Sequence, residues 1–341
     1  MGIRASLPAS AGGTGARGLA ARLAAAWLPF AATLVVVPAM AAASSTPPTR
    51  IAFERFAGPN FTSQVATVNP DGGHLRTVTR FAAGAGWPDF APRGGRLIFE
   101  HFYADERPGA LFTMGPRGGH LTRISSGCNG ECLEDTEPAW SQHGRRIAFS
   151  RVFGPIVDDN ASEIDLMVMR RDGTQVRTVK SFDFAQGDLE PHAVEWSPGG
   201  KRLALMLLDP VSPRKRSAIF TLKLTSGDLK RITPFRLNAG NPSWSRRGAR
   251  IAFNSNFEGQ ATARLFTVHP NGSDLHRLTE NRPQSFFEPT WKPNGRQIAF
   301  VAAGRHVAPH IVRMRLSDRR RHLVTSSTDR PGVHPDWGRR P

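Results

Sequence analysis

Cysteine is nearly missing from this chain. Two residues in 341, Cys128 and Cys132, leave no material for a disulfide framework or a four-cysteine zinc site. Acids are scarce too, 28 against 45 lysines and arginines, for a formal net charge of +17. Such a balance favours anionic partners over cationic ones. After residue 43 no apolar run reaches the length of a membrane span. There is no Gly-x-Ser-x-Gly elbow, no His-Glu-x-x-His and no phosphate-binding loop, so the common serine-hydrolase, zincin and P-loop chemistries are excluded.

The exception to the missing apolar runs is at the start. Residues 1–22 carry Arg4, Arg17 and Arg22 and no acid; Leu23 to Val37 is apolar, and Ala39-Met40-Ala41 supplies a small-x-small end. This pattern predicts a signal peptide over 1–41, then a short lead over 42–49. Retention as an anchor is the other reading, but the run is short and Pro29 interrupts it, so cleavage is expected. No cysteine lies near the cut, so no lipid anchor is expected there. The destination is then periplasmic or extracellular, and in that compartment Cys128 and Cys132 are expected to form one local disulfide.

What fills the chain is a repeat. Pro138-Ala-Trp140-Ser-Gln-His-Gly144-Arg-Arg-Ile147-Ala-Phe149 recurs around Trp244 and Trp291, more loosely around Phe90 and Trp196, and as a half copy at Trp337. These marker aromatics are 46 to 56 residues apart, and a period of that size signals a repeat architecture. Within each unit, short β-branched or aromatic runs alternate with glycine turns such as Asp172-Gly173 and Asn271-Gly272, which is strand-and-turn chemistry. Four short antiparallel strands per unit describe a propeller blade. The chain ends just after a first strand and begins, at Arg50-Ile-Ala-Phe53, just before a second. The expectation is therefore an all-β, six-bladed β-propeller over 50–341. Its C-terminal strand joins the three N-terminal strands, which removes the open sheet edges. Phe90, Trp140, Trp196, Trp244, Trp291 and Trp337 are expected to pack between blades.

The Pro-x-Trp-Ser-Pro-x-Gly-x-x-Ile-Ala-Phe pattern, with its Asp/Asn-Gly turn and Leu-Thr ending, resembles the TolB-type, WD-repeat-like propeller repeat over about residues 50–341. The α/β domain that precedes the TolB propeller has no counterpart in the roughly ten residues between the apolar segment and the first strand. The resemblance implies the fold. It implies either a binding scaffold or an enzyme, because this repeat serves both.

Strand order puts short glycine turns on one face and long loops on the other. Arg93, Arg96, Arg145, Arg146, Arg170 and Arg171 fall with the short turns, and most acids with the long loops. A monomer is expected that binds a protein partner of the envelope through the long loops. An anionic surface or polymer is the expected partner of the arginine face; specific nucleic-acid binding is not expected, since no base-stacking motif is present. Glu137, Glu190 and Glu288 each precede a proline that opens a first strand, and His334 and Asn241 hold the same place elsewhere. With Asp89, His192 and Asp336 they are expected at the channel mouth, with His101, His306 and His310 on the same side. Converging carboxylates and imidazoles could bind a divalent cation, through Glu137, Glu190, Glu288 and His192, or act as acid and base in a metal-assisted lyase or hydrolase of glycan or peptide. The plainer alternative is that each carboxylate bonds backbone amides at a loop end.

Overall fold

In the computed structural model the described residues are 49–339, except 58–61, 104–107, 126–131, 155–161, 213–215, 258–259, 281 and 327–331. The expected signal peptide and Cys128 lie outside them, so the leader and the disulfide stay expectations.

The described residues form six four-stranded antiparallel sheets. The closing blade joins β1 (Thr49–Ala57), β2 (Thr62–Val68) and β3 (Arg76–Thr77) to β24 (Gly332–Arg339), in the order β24-β1-β2-β3. Blade 1 holds β4 (Ala85–Phe90), β5 (Leu97–His101), β6 (Ala110–Met114) and β7 (Thr122–Arg123). Blade 2 holds β8 (Glu134–Trp140), β9 (Arg146–Phe153), β10 (Glu163–Arg170) and β11 (Arg177–Asp183). Blade 3 holds β12 (Glu190–Trp196), β13 (Arg202–Leu208), β14 (Ser217–Lys223) and β15 (Leu229–Arg231). Blade 4 holds β16 (Ala239–Trp244), β17 (Ile251–Ser255), β18 (Arg264–Val268) and β19 (His276–Arg277). Blade 5 holds β20 (Ser285–Trp291), β21 (Gln297–Gly304), β22 (Val307–Arg315) and β23 (Arg321–Leu323).

The ring closes in the register the repeat phase requires. Ile51 pairs with Trp337 and Ala52 with Asp336, so head and tail share one sheet.

There is no single central core. Six apolar clusters form, each between two neighbouring blades. The reason is in the sequence: second and third strands such as Leu97-Ile-Phe99 and Leu166-Met-Val-Met169 are buried along their whole length, because both sheet faces meet a neighbour. Every marker aromatic lies in the cluster between its own blade and the preceding one; Trp196, for example, packs with Leu166, Val168 and Phe182 of blade 2. The glycine turns between third and fourth strands also touch the neighbour. Gly173 has φ +83°, and a Cβ there would sit 2.2 Å from the Ile124 carbonyl oxygen of blade 1, so glycine is required twice over.

The marker tryptophans differ in one atom. The Nε1–H of Trp196 donates to the Ala139 carbonyl at 3.0 Å and that of Trp291 to the Ser243 carbonyl at 3.0 Å, whereas the buried Nε1 of Trp140 has no acceptor among the described residues. Removing a bonded donor strands its acceptor, while removing an unpartnered one relieves a desolvation cost. Trp196→Phe is therefore expected to destabilise by about 1–2 kcal/mol more than Trp140→Phe. Denaturant midpoints of the two variants measure this, and equal losses would contradict it.

Candidate functional site: the central channel

The first strand of every blade lines the channel, and each carries the same irregularity. Register shifts interrupt the pairing of β4, β8, β12, β16, β20 and β24 with their second strands. At each shift one residue takes left-handed φ: Trp87 (50°), Glu137 (50°), Ala193 (52°), Asn241 (49°), Glu288 (53°) and His334 (50°). A non-glycine residue in that region costs of order 1 kcal/mol. Six repeats of it make a ring of bulges that turns side chains toward the axis.

The bulge ring is tied blade to blade. Glu137 accepts from the Ala193 N–H of the next blade at 2.6 Å, and Glu288 accepts from the His334 N–H at 2.6 Å. The plainer reading of these glutamates thus describes their geometry. Glu190 is a correction. It begins β12, while Ala193 occupies the ring position of blade 3. The Glu190-Pro191 dipeptide resembles its counterparts, but the bulge lies three residues before the marker aromatic in every blade, and three before Trp196 is Ala193. The same count finds Trp87, which the sequence reading missed; its ring stacks on His334 at 3.6 Å between centroids.

Two imidazoles sit at the long-loop end. The Nε2 of His192 is 3.0 Å from Glu190 and its Nδ1 is 3.7 Å from Glu137. His334 contacts Glu54 through Nδ1 at 3.0 Å and Glu288 through Nε2 at 3.3 Å. Burial alone would lower the pKa of His192, but the hydrogen bonds and charges of Glu137 and Glu190 outweigh it and raise the value to about 10. His334 rises likewise, against burial, through Glu288 and Glu54. Each ring thus sits between two carboxylates, and His192 is held as an imidazolium. Base catalysis by either ring would compete with these carboxylates for the proton. His101, His306 and His310 are absent from the channel lining; His101 packs edge-on against Phe81 and Tyr103 instead.

Asp89 and Asp336 are a second correction. Expected at the mouth, they lie at the waist with Glu195, bordering both a chamber of ≈ 120 Å³ on the long-loop side and one of ≈ 70 Å³ beyond it. They precede the marker aromatics by one residue, two positions deeper than the bulge. There they bind the next blade: Asp336 accepts from the Phe90 N–H at 2.8 Å and Asp89 from the Trp140 N–H at 2.5 Å. Burial first, then the charges of Asp336 and Glu195, holds the Asp89 carboxyl well above the usual range. Burial and the Asp336 charge do the same for Glu195, and burial lifts Asp336 to about 6. The far chamber is lined by Arg246, Lys292 and Arg339, so the channel runs from carboxylates to cations.

Two further glutamates escaped the sequence reading. Glu54 and Glu100 stand on second strands and are 6% and 1% exposed. Burial, then the Glu134 charge, pushes Glu100 well up, and the Thr136 hydroxyl donates to it at 2.5 Å. Among the described residues no three His, Cys, Asp or Glu side chains are grouped so as to hold a metal ion.

The geometry defines a closed six-bladed propeller with a narrow, laced channel. The sequence pattern of the TolB beta propeller domain matches residues 160–337, just over half of the chain. The chain belongs to the TolB β-propeller family. Among solved structures, TolB from Acinetobacter baumannii is 18% identical, with TM-score 0.64, over 85% of this chain and 66% of that one. A putative TolB from Agrobacterium tumefaciens is 17% identical, with TM-score 0.60, over 86% and 99%. A chain from a nidogen/laminin complex is 14% identical, with TM-score 0.60, over 85% and 98%. The chain thus spans just under two thirds of the Acinetobacter protein. At these identities the likeness establishes the fold.

Proposed function

We propose that the chain is an exported scaffold that binds a protein partner of the cell envelope through its long-loop face. One observation carries the reading. Both mouth imidazoles are locked between carboxylates, above a chamber of only ≈ 120 Å³, where small-molecule sites usually have about 300–1,000 Å³. The mouth is built as a rigid collar. The metal-assisted lyase or hydrolase reading needs room for a sugar or peptide and a free base, and gains neither.

The long-loop face itself favours a protein. Leu133, Val211 and Phe257, in connections of three different blades on that side, are 37%, 80% and 39% exposed. Apolar side chains on long loops over a rigid frame are a common basis for protein contacts. The relatives agree in kind, one of them coming from a nidogen/laminin complex.

The test is photo-crosslinking in envelope extract. A crosslinker at Val211 is expected to capture one discrete protein, lost on Phe257→Glu with unchanged melting temperature; one at Arg145 on the opposite face captures none. Equal capture at both faces, or none at either, contradicts the proposal. A stoichiometric divalent ion, lost on Glu137→Ala, Glu190→Ala or Glu288→Ala, would favour the enzyme instead.

A further inference from the structure

We propose a second binding site on the opposite face: a groove across blades 1 to 3 that takes an extended polyanion. Two depressions, of ≈ 830 and ≈ 690 Å³, share His143, Arg145, Arg171 and Asp172 and so form one continuous run. Blade 1 contributes Arg93 and Arg96 from the turn after its first strand. Blade 2 contributes Arg145 from the corresponding turn, Arg146 from the start of its second strand, Arg170 from the end of its third and Arg171 just after it. The run ends at Gly200 of blade 3. Six guanidiniums thus line one groove.

Some of them are already occupied. Arg146 donates to the Gly200 carbonyl at 2.6 Å and lies 4.7 Å from the centre of the Trp196 ring; Arg96 donates to the Thr113 hydroxyl at 3.0 Å. These two form part of the wall. Arg93, Arg145 and Arg171 are exposed, and among the described residues their side chains have no hydrogen-bond or ion-pair partner. The one carboxylate in the groove, Asp172, is engaged by the backbone and hydroxyl of Thr174. Six guanidiniums against one carboxylate leave a net positive charge in the groove, and an anionic ligand relieves their mutual repulsion.

The shape selects the kind of anion. A single phosphate or carboxylate fills a small part of two grooves of this size. A lipid surface is flat and meets only the rim of a concave run. A linear chain with phosphate or carboxylate groups at intervals fits along it, and guanidinium forks pair with either group through two parallel hydrogen bonds. Every basic lining residue besides His143 is arginine.

The experiment uses the purified full chain with two labelled polymers, polyphosphate and polygalacturonate, at low and high salt, and measures Kd by fluorescence anisotropy. Arg93→Gln/Arg145→Gln/Arg171→Gln is compared with Arg76→Gln/Arg247→Gln/Arg296→Gln, three exposed arginines of other blades. Both sets remove the same charge. The groove set is expected to raise Kd roughly tenfold or more for at least one polymer, and the control set less than about twofold, with melting temperatures unchanged and binding weakened by salt. Which polymer binds more tightly identifies the charged group. Equal losses in the two sets mean that net charge alone attracts the polymers and overturn the site. So does an absence of binding to either polymer. Tighter binding to anionic vesicles, indifferent to the groove set, would overturn it in favour of a membrane.

Discussion

Asp89→Asn stabilises this protein at neutral pH, and Asp336→Asn, the same change one blade back, destabilises it. The two carboxyls border the same two chambers at the channel waist, and burial together with the charge of Asp336 opposes ionisation of Asp89. Asp336 accepts from two protein donors and Asp89 from one, so the negative charge is better held on Asp336 and the proton falls to Asp89. Asparagine copies that state: its oxygen still accepts from the Trp140 N–H and its amide replaces the donating hydroxyl. Asp336 is an acceptor on all sides, from Phe90 N–H at 2.8 Å and more weakly from the Thr290 hydroxyl at 3.4 Å. An amide there turns a donor toward donors. The expected changes at pH 7 are about +1 kcal/mol for Asp89→Asn and about −2 kcal/mol for Asp336→Asn, reduced from fully buried values because the waist opens to water at both ends. Denaturant unfolding at pH 7 measures both, and changes of equal sign and size would contradict the proton assignment.

The same groups set the pH dependence of stability. Asp89, Glu195 and Asp336 have raised folded pKa values, so the folded state holds more protons than the unfolded one just above pH 4. Their contribution is full below the unfolded values and is lost as pH rises, for Asp336 through about 6. The two imidazoles act in the same direction: the His192 contribution is full below about 6.5 and lost as pH rises through about 10. Stability therefore falls from mildly acidic to alkaline pH. The melting temperature is expected to be about 5 °C or more higher near pH 5.5 than near pH 9, and Asp89→Asn flattens the acid part of that slope. A profile rising with pH across this range would contradict the assignment.

The fold was legible because one tryptophan and one glycine turn recur at a fixed phase. That phase, more than strand propensity, told which strand the C-terminal half copy supplies. The channel was only partly legible. Glu137, Glu288 and His334 announce themselves by the proline that follows, but blade 3 has Val194 where the others have proline, and the eye settles on Glu190-Pro191 instead. Counting back three from each aromatic would have given Ala193 and Trp87 directly. The depth of Asp89 and Asp336 was hidden, since an extra bulge residue changes how far along the axis a side chain points. Glu54 and Glu100 were hidden for another reason: a glutamate in an apolar second strand reads as an exception until its partner is known, His334 from the C-terminal strand of the same blade for Glu54 and Thr136 from the next blade for Glu100.

Everything here depends on the ring being closed by its own two ends. Thr49 and Arg339 are register partners at the end of the β1–β24 pair, and the Trp337 indole donates to the Thr49 hydroxyl at 3.0 Å. Thr49→Cys/Arg339→Cys, oxidised and digested, should give a disulfide-linked peptide pair by mass spectrometry in a monomer that keeps its cooperative unfolding. A linkage found only between molecules, or none in folded protein, would contradict the closed ring.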